Sequence, residues 1–110
     1  MNTKLIVAYQ LAKRDAAISA ARLEDAEKNP ADYTAEEVIQ RKKEADEDTK
    51  KMNFLQSQLK SEIANIEDTF SRRLAEDHYL RGEKISQLAS RYSYSEDTIK
   101  KYLKKARRKD

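Results

Sequence analysis

A chain of 110 residues with one glycine, Gly82, and one proline, Pro30, has few places where its backbone can turn sharply. These two residues are the strongest local punctuation a sequence carries, and their rarity leaves long helices as the natural solution. The apolar residues agree with that reading, because they recur in steps of three and four. Charged residues make up 39% and hydrophobic residues 38%, which is lean for a thick core. Disorder is a common outcome of such a balance, but helical spacing with so little Gly and Pro argues against it here. Thin helices with narrow apolar stripes fit better, and such helices bury their stripes against each other or against a second copy.

The first helix is expected from about Thr3 to Lys28. Leu5, Tyr9, Ala12, Ala16, Ala20, Leu23 and Ala26 or Glu27 form a narrow seam rich in alanine, and small residues permit close helix approach. Asn29-Pro30 ends it, since a residue before proline is pushed out of helical geometry. A second helix starts at Thr34-Ala-Glu-Glu37, a capping box in which the Thr34 hydroxyl accepts from the Glu37 amide. From there Val38, Ala45, Met52, Leu59 and Ile66 fall at sevenfold spacing. Between Val38 and Met52 the helix is mostly charge, and the acidic run Glu44 to Asp48 reads as a solvated face. An antiparallel hairpin with the first helix, closed through the Pro30 turn, and an intermolecular coiled coil are the two candidate arrangements. The stripe strengthens through Met52, Leu55, Leu59, Ile63, Ile66, Phe70 and Leu74, in steps of 3, 4, 4, 3, 4 and 4. Ser57 and Ser61 are possible break points, though no Gly or Pro requires one.

Charge separates the two ends of the chain. Residues 1–60 carry 11 basic and 11 acidic side chains, whereas residues 61–110 carry 12 and 9 and so hold the whole net charge of +3. Between Thr98 and Lys109 there are seven positive side chains and no negative one. A basic strip of this kind is the electrostatic footprint expected of a phosphate-binding surface. Cysteine is absent, so disulfides, thiol chemistry and thiolate zinc sites are excluded. The single histidine, His78, cannot build a histidine metal site and reads as a surface or boundary residue. Carboxylate pairs such as Glu76-Asp77 lack a nucleophile, a Gly-rich loop or a metal companion, so catalysis and cofactors are not expected. The apolar run Leu5-Ile-Val-Ala8 is too short for a secretory signal, and no stretch approaches the ~18 apolar residues of a membrane span. The expected location is the cytoplasm, within a bacterial host cell.

The basic strip belongs to a recognisable pattern. Ala89 is the small residue a helix-turn-helix needs where its helices cross, flanked by inward-facing Ile85, Leu88 and Tyr92. Ile99, Tyr102 and Leu103 follow on the second helix and would close a three-helix core against Phe70 and Leu74. Gly82 ends the preceding helix, and Ser95 is the N-cap of the second one. The stretch from Tyr79-Leu-Arg-Gly-Glu-Lys-Ile-Ser-Gln-Leu-Ala89 through Tyr94-Ser-Glu-Asp-Thr-Ile-Lys-Lys-Tyr-Leu103 resembles the sigma-70 region 4-like helix-turn-helix. In overall layout the chain is similar to small phage and prophage transcription regulators of the RinA/ArpU kind. The resemblance covers roughly Ile63 to Arg108. It departs at Ser93, which occupies a turn position usually given to Gly; serine adopts the left-handed conformation at some cost.

The expected architecture is therefore all-α: a helical hairpin or coiled coil over 1–60 and a three-helix helix-turn-helix unit over 61–110. If the motif binds double-stranded DNA, the helix at about 96–108 enters the major groove. Ser95, Glu96, Asp97, Lys100, Lys101 and Lys104 face outward, with Lys100 and Lys101 able to reach guanine O6 and N7. Lys84, Arg91 and Tyr94 are candidate backbone contacts, and Lys105, Arg107, Arg108 and Lys109 add non-specific affinity. Glu96 and Asp97 stabilise the positive end of the helix dipole or accept from cytosine N4. Tyr92, Tyr94 and Tyr102 read as packing residues before base-stacking ones. The expected partners are DNA and a second copy of the chain, with RNA polymerase or another protein held by the N-terminal helices. Two readings compete with a transcription regulator: a protein-interaction module docking on polymerase or another regulator, and a phage small terminase subunit, which forms larger rings.

Overall fold

The computed structural model describes residues 1–107; Arg108 and Lys109, counted in the basic strip, lie outside the described residues. The expected all-α fold is what it shows, and among the described residues there is no strand. Helix α1 spans Thr3–Lys28, a short 3-10 turn spans Pro30–Asp32, and α2 runs unbroken over Ala35–Ala64. Helix α3 covers Thr69–Ala75 and widens into one π-helical turn over Glu76–Leu80, followed by α4 over Ile85–Tyr92 and α5 over Glu96–Ala106. No helix among the described residues is long and apolar enough to cross a membrane. The chain divides into two compact units, Val7–Leu55 and a second built from Met1–Ile6 together with Gln56–Asp110.

The Val7–Leu55 unit is an antiparallel hairpin closed within one chain. Its turn is pinned chemically. The Asn29 amide and side chain both donate to the Asp25 carbonyl at 3.0 Å, the Tyr33 hydroxyl donates to the Asp25 carboxylate, and the Arg41 guanidinium lies 4.3 Å from the Tyr33 ring centre. Arg41 also donates to the Arg22 carbonyl at 2.8 Å. At the start of α2 the Thr34 hydroxyl accepts from the Glu37 amide at 3.1 Å and donates to the Glu37 carboxylate at 3.2 Å. The seam of α1 is Tyr9, Ala12, Ala16, Ser19 and Ala26, all buried. Ser19 thus takes the place expected of Ala20, which is exposed, because its hydroxyl donates to the Asp48 carboxylate across the hairpin. The acidic run on α2 is accordingly not wholly solvated: Asp48 and Glu44 both reach α1, Glu44 lying 3.7 Å from Arg22.

In the second unit the apolar stripe is cut where its spacing gave no warning. Helix α2 passes through Ser57 and Ser61 but stops at Ala64, and Phe70 and Leu74 belong to a new helix. Asp68 starts that helix by accepting from the Ser71 amide at 2.9 Å, and Arg72 donates to the Ile66 carbonyl at 3.1 Å to brace the bend. Leu59, Ile63, Leu74, Leu88, Ile99 and Leu103 are fully or almost fully buried here, joined by Met1 and Ile6 from the N-terminus. Each such aliphatic side chain stabilises the fold by about 1.5–3 kcal/mol. Helix α5 packs on both α3 and α4. At the aromatic edge Phe70 is a hub, with Tyr102 at 4.9 Å and Tyr92 at 5.3 Å edge-on and Tyr94 tilted at 5.4 Å. All three tyrosines pack on Phe70, with Tyr94 also half-exposed.

The two tight turns use left-handed residues. Gly82 has φ 72°, which brings the Glu83 amide back to the Asp77 carbonyl at 3.0 Å. Ser93 has φ 59° and ψ 39° between α4 and α5, and the Tyr94 amide returns to the Ala89 carbonyl at 3.0 Å. A Cβ is disfavoured there. Ser93→Gly is expected to raise the unfolding free energy by about 0.5–1 kcal/mol, whereas Ser93→Val should lower it. Urea titrations of the two variants check this, and a glycine variant less stable than the parent would refute the role given to the turn.

Candidate nucleic-acid interface

Helix α5 is organised by one sharp division of faces. Ile99, Leu103 and Ala106 are buried, and Tyr102 is half-buried against Phe70. At 100° per residue, the direction opposite that core is held by Asp97, Lys101 and Lys104, with Lys100 and Lys105 on either flank. Glu96, Asp97, Lys100, Lys101, Lys104 and Lys105 are all exposed. The start of the helix is fixed by Ser95, whose hydroxyl accepts from the Thr98 amide at 3.2 Å and lies 2.8 Å from the Thr98 hydroxyl. Glu96 and Asp97 sit in the first turn, where the helix dipole stabilises a carboxylate.

The cations differ in what already engages them. Among the described residues no ion pair holds Lys100, Lys101 or Lys104. Lys105 borders two open grooves, one shared with Lys101 and Lys104 and one with Met1, Asp68 and Ser71. Lys84 precedes α4 with its side chain exposed, while its amide donates to the Gln87 side chain at 2.9 Å. Tyr94 is half-exposed in the turn and rests on Phe70. Arg108 lies outside the described residues.

Arg91, expected as a phosphate contact, is 45% exposed and already engaged by carboxylates. One terminal nitrogen of its guanidinium donates to Glu83 at 2.8 Å, and the other donates to Glu83 at 2.5 Å and to Asp77 at 2.6 Å. Glu83, then Asp77, hold its pKa above the ordinary arginine value. Asp77 is the partner the sequence did not disclose. Its side chain is 2% exposed and also accepts from Arg81 at 2.8 Å and from the Tyr92 hydroxyl at 2.8 Å. Burial, and then the bond to Asp77, push the Tyr92 phenol above its ordinary pKa. A buried carboxylate needs such partners, since burying it without them is costly. Together they tie the π-helical turn to α4, the helix that supports α5. The His78 ring lies 2.8 Å from the Glu83 carbonyl and edge-on to Tyr79, a boundary position as expected.

Chemically, the exposed surface offers lysine ammonium groups and capped helix ends. Among the described residues no group of His, Cys, Asp or Glu is placed to hold a metal ion. Comparison with known proteins gave no match to a family model, a curated protein or a solved structure.

Asp77→Ala strands Arg91 and the Tyr92 hydroxyl and should cost about 2–3 kcal/mol. That is below the usual 3–5 for breaking a buried pair, because both arginines remain partly in water. In the Asp77→Ala background, Arg91→Ala should add much less than it does alone. A double-mutant cycle by chemical denaturation measures both; additive losses would show that the two residues do not act as a unit.

Proposed function

We propose that the chain is a small DNA-binding transcription regulator of the phage or mobile-element kind, with α5 lying in the major groove of double-stranded DNA. The observation that carries this reading is the exposed set Lys100, Lys101 and Lys104 on a helix whose opposite face is buried. The left-handed turn at Ser93, the Ser95 cap and the packing of α4 on α5 support it, since together they give two packed helices joined by a tight turn. So does the resemblance of residues 79–103 to the sigma-70 region 4-like motif. Lys84 and Tyr94 contact the phosphate backbone, Ser95 sets the start of the reading helix, and Lys100, Lys101 and Lys104 divide phosphate and guanine contacts. Arg91 contributes by holding α4 in place.

Fluorescence anisotropy with a labelled random-sequence duplex tests this. Binding should weaken steeply with salt, because each neutralised phosphate releases counterions and adds about −0.9 to the slope of log K against log salt. Replacing Lys100, Lys101 and Lys104 together with alanine should reduce the magnitude of that slope by about 3, roughly one per lysine, and remove most of the affinity. The thermal midpoint should hardly move, since all three side chains are exposed. Folded parent protein that leaves the duplex unbound at low salt would overturn the proposal.

The competing reading is docking on RNA polymerase or another regulator, which the exposed Ile39 and Phe54 side chains on α2 favour. In that case the protein binds purified polymerase while its affinity for duplex DNA stays weak at every salt concentration.

A further inference from the structure

The face of α1 turned away from its seam is unusually apolar for a surface. Tyr9, Ala12, Ala16 and Ser19 are buried. On the opposite side Val7, Leu11 and Ile18 are 48%, 46% and 52% exposed. Val7, Leu11, Arg14, Ile18 and Ala21 follow one another in steps of 4, 3, 4 and 3, the spacing of a helix that meets another helix along a single seam. Three large aliphatic side chains exposed in one line mark an association surface more than an ordinary scatter of surface residues.

The charges on this face specify its occupant. Arg22 is already paired with Glu44, and Asp25 already accepts from Tyr33. Arg14 and Asp15 remain, 65% and 50% exposed, and among the described residues their one ion pair is with each other, at 3.5 Å from adjacent positions. We infer that the occupant is a second copy of α1, running antiparallel about a two-fold axis between Arg14 and Asp15. In that register Arg14 faces the second copy's Asp15 twice over, Leu11 meets Ile18 twice, and Val7 lies along the aliphatic stem of Arg22. Ala21 is small enough to let the backbones approach. A parallel, in-register pairing would set Arg14 against Arg14 and Asp15 against Asp15, whereas in the antiparallel register the second copy's Asp15 offsets the approach of the two Arg14 side chains. The surface gives the homodimer expected from the sequence a definite interface, and it rests on none of the arguments for DNA.

Sedimentation equilibrium of the full chain, without nucleic acid, should show the mass rising to twice that of one chain as concentration increases. Leu11→Glu with Ile18→Glu should leave a monomer of unchanged far-UV circular dichroism, as both positions are exposed. Arg14→Glu alone and Asp15→Arg alone should each weaken association about tenfold by turning two attractions into repulsions. The double variant Arg14→Glu with Asp15→Arg should restore it to within about threefold, because the swapped charges again face opposite partners. The chain has no cysteine, so a single introduced one reports the register. Arg14→Cys should form a disulfide dimer on oxidation, while two Val7→Cys positions stand about 22 Å apart along the axis and should not. A chain that stays monomeric into the millimolar range, a dimer that survives the double glutamate variant, or failure of the charge swap to rescue would each overturn the inference. Faster crosslinking at Val7→Cys than at Arg14→Cys would do the same. Since DNA is absent from every arm, a negative result here leaves the DNA proposal standing, and loss of DNA binding leaves this one standing.

Discussion

One buried carboxylate organises the C-terminal unit. Asp77 sits with 2% of its side chain exposed, in a place where an unpartnered charge would oppose folding by several kcal/mol. It is tolerated because Arg81, Arg91 and Tyr92 all donate to it. These donors come from the end of the π-helical turn and from α4, so satisfying one charge fixes the path of the chain between two helices. The wide turn is part of the arrangement. It carries the buried Asp77, and the Gly82 reversal that follows returns Glu83 to the same cluster, where it holds the far side of Arg91. The orientation of α4, and through packing that of α5, depends on this group of charges.

That dependence sorts the basic residues into two kinds. Arg81 and Arg91 are committed to carboxylates inside the protein, and Lys105 stands beside Asp68. Lys100, Lys101 and Lys104 have no such partner among the described residues. A count of positive charge along the sequence cannot separate these classes, because an arginine holding a fold together and an unpaired surface lysine contribute equally to it. The distinction leaves Lys100, Lys101 and Lys104 as exposed cations on one face of one helix, with no ion pair among the described residues.

Local signals carried much of this fold, and long-range pairings did not. Asn29-Pro30, the Thr34 capping box, Ser95 and Gly82 each act within a few residues, and each marks an element boundary where the structure has one. The break between α2 and α3 was hidden because Ile66 continues the apolar spacing across it; the available signal was Asp68 three residues before Ser71, an N-cap lost among many charges. Ser19 displaced Ala20 from the hairpin seam for a related reason. Its burial depends on Asp48, 29 positions away, and no local pattern encodes that. Asp77 is the extreme case, since its partners lie 4, 14 and 15 residues distant and a pair of adjacent acids on a helix ordinarily faces water.

Met1 and Ile6 are buried in the same unit as the helix-turn-helix, and the Asn2 amide donates to Glu62 across 60 residues of chain at 3.0 Å. The consequence concerns folding order. Closing so long a loop as flexible coil is entropically unfavourable and slow, but a hairpin formed first from Val7–Leu55 shortens the effective loop to a few residues. A fragment beginning at residue 61 would lack Met1, Ile6 and Leu59 and would leave apolar surface of its core in water. The helix-turn-helix of this protein is consequently not a portable cassette: its unit also buries Met1, Ile6 and Leu59.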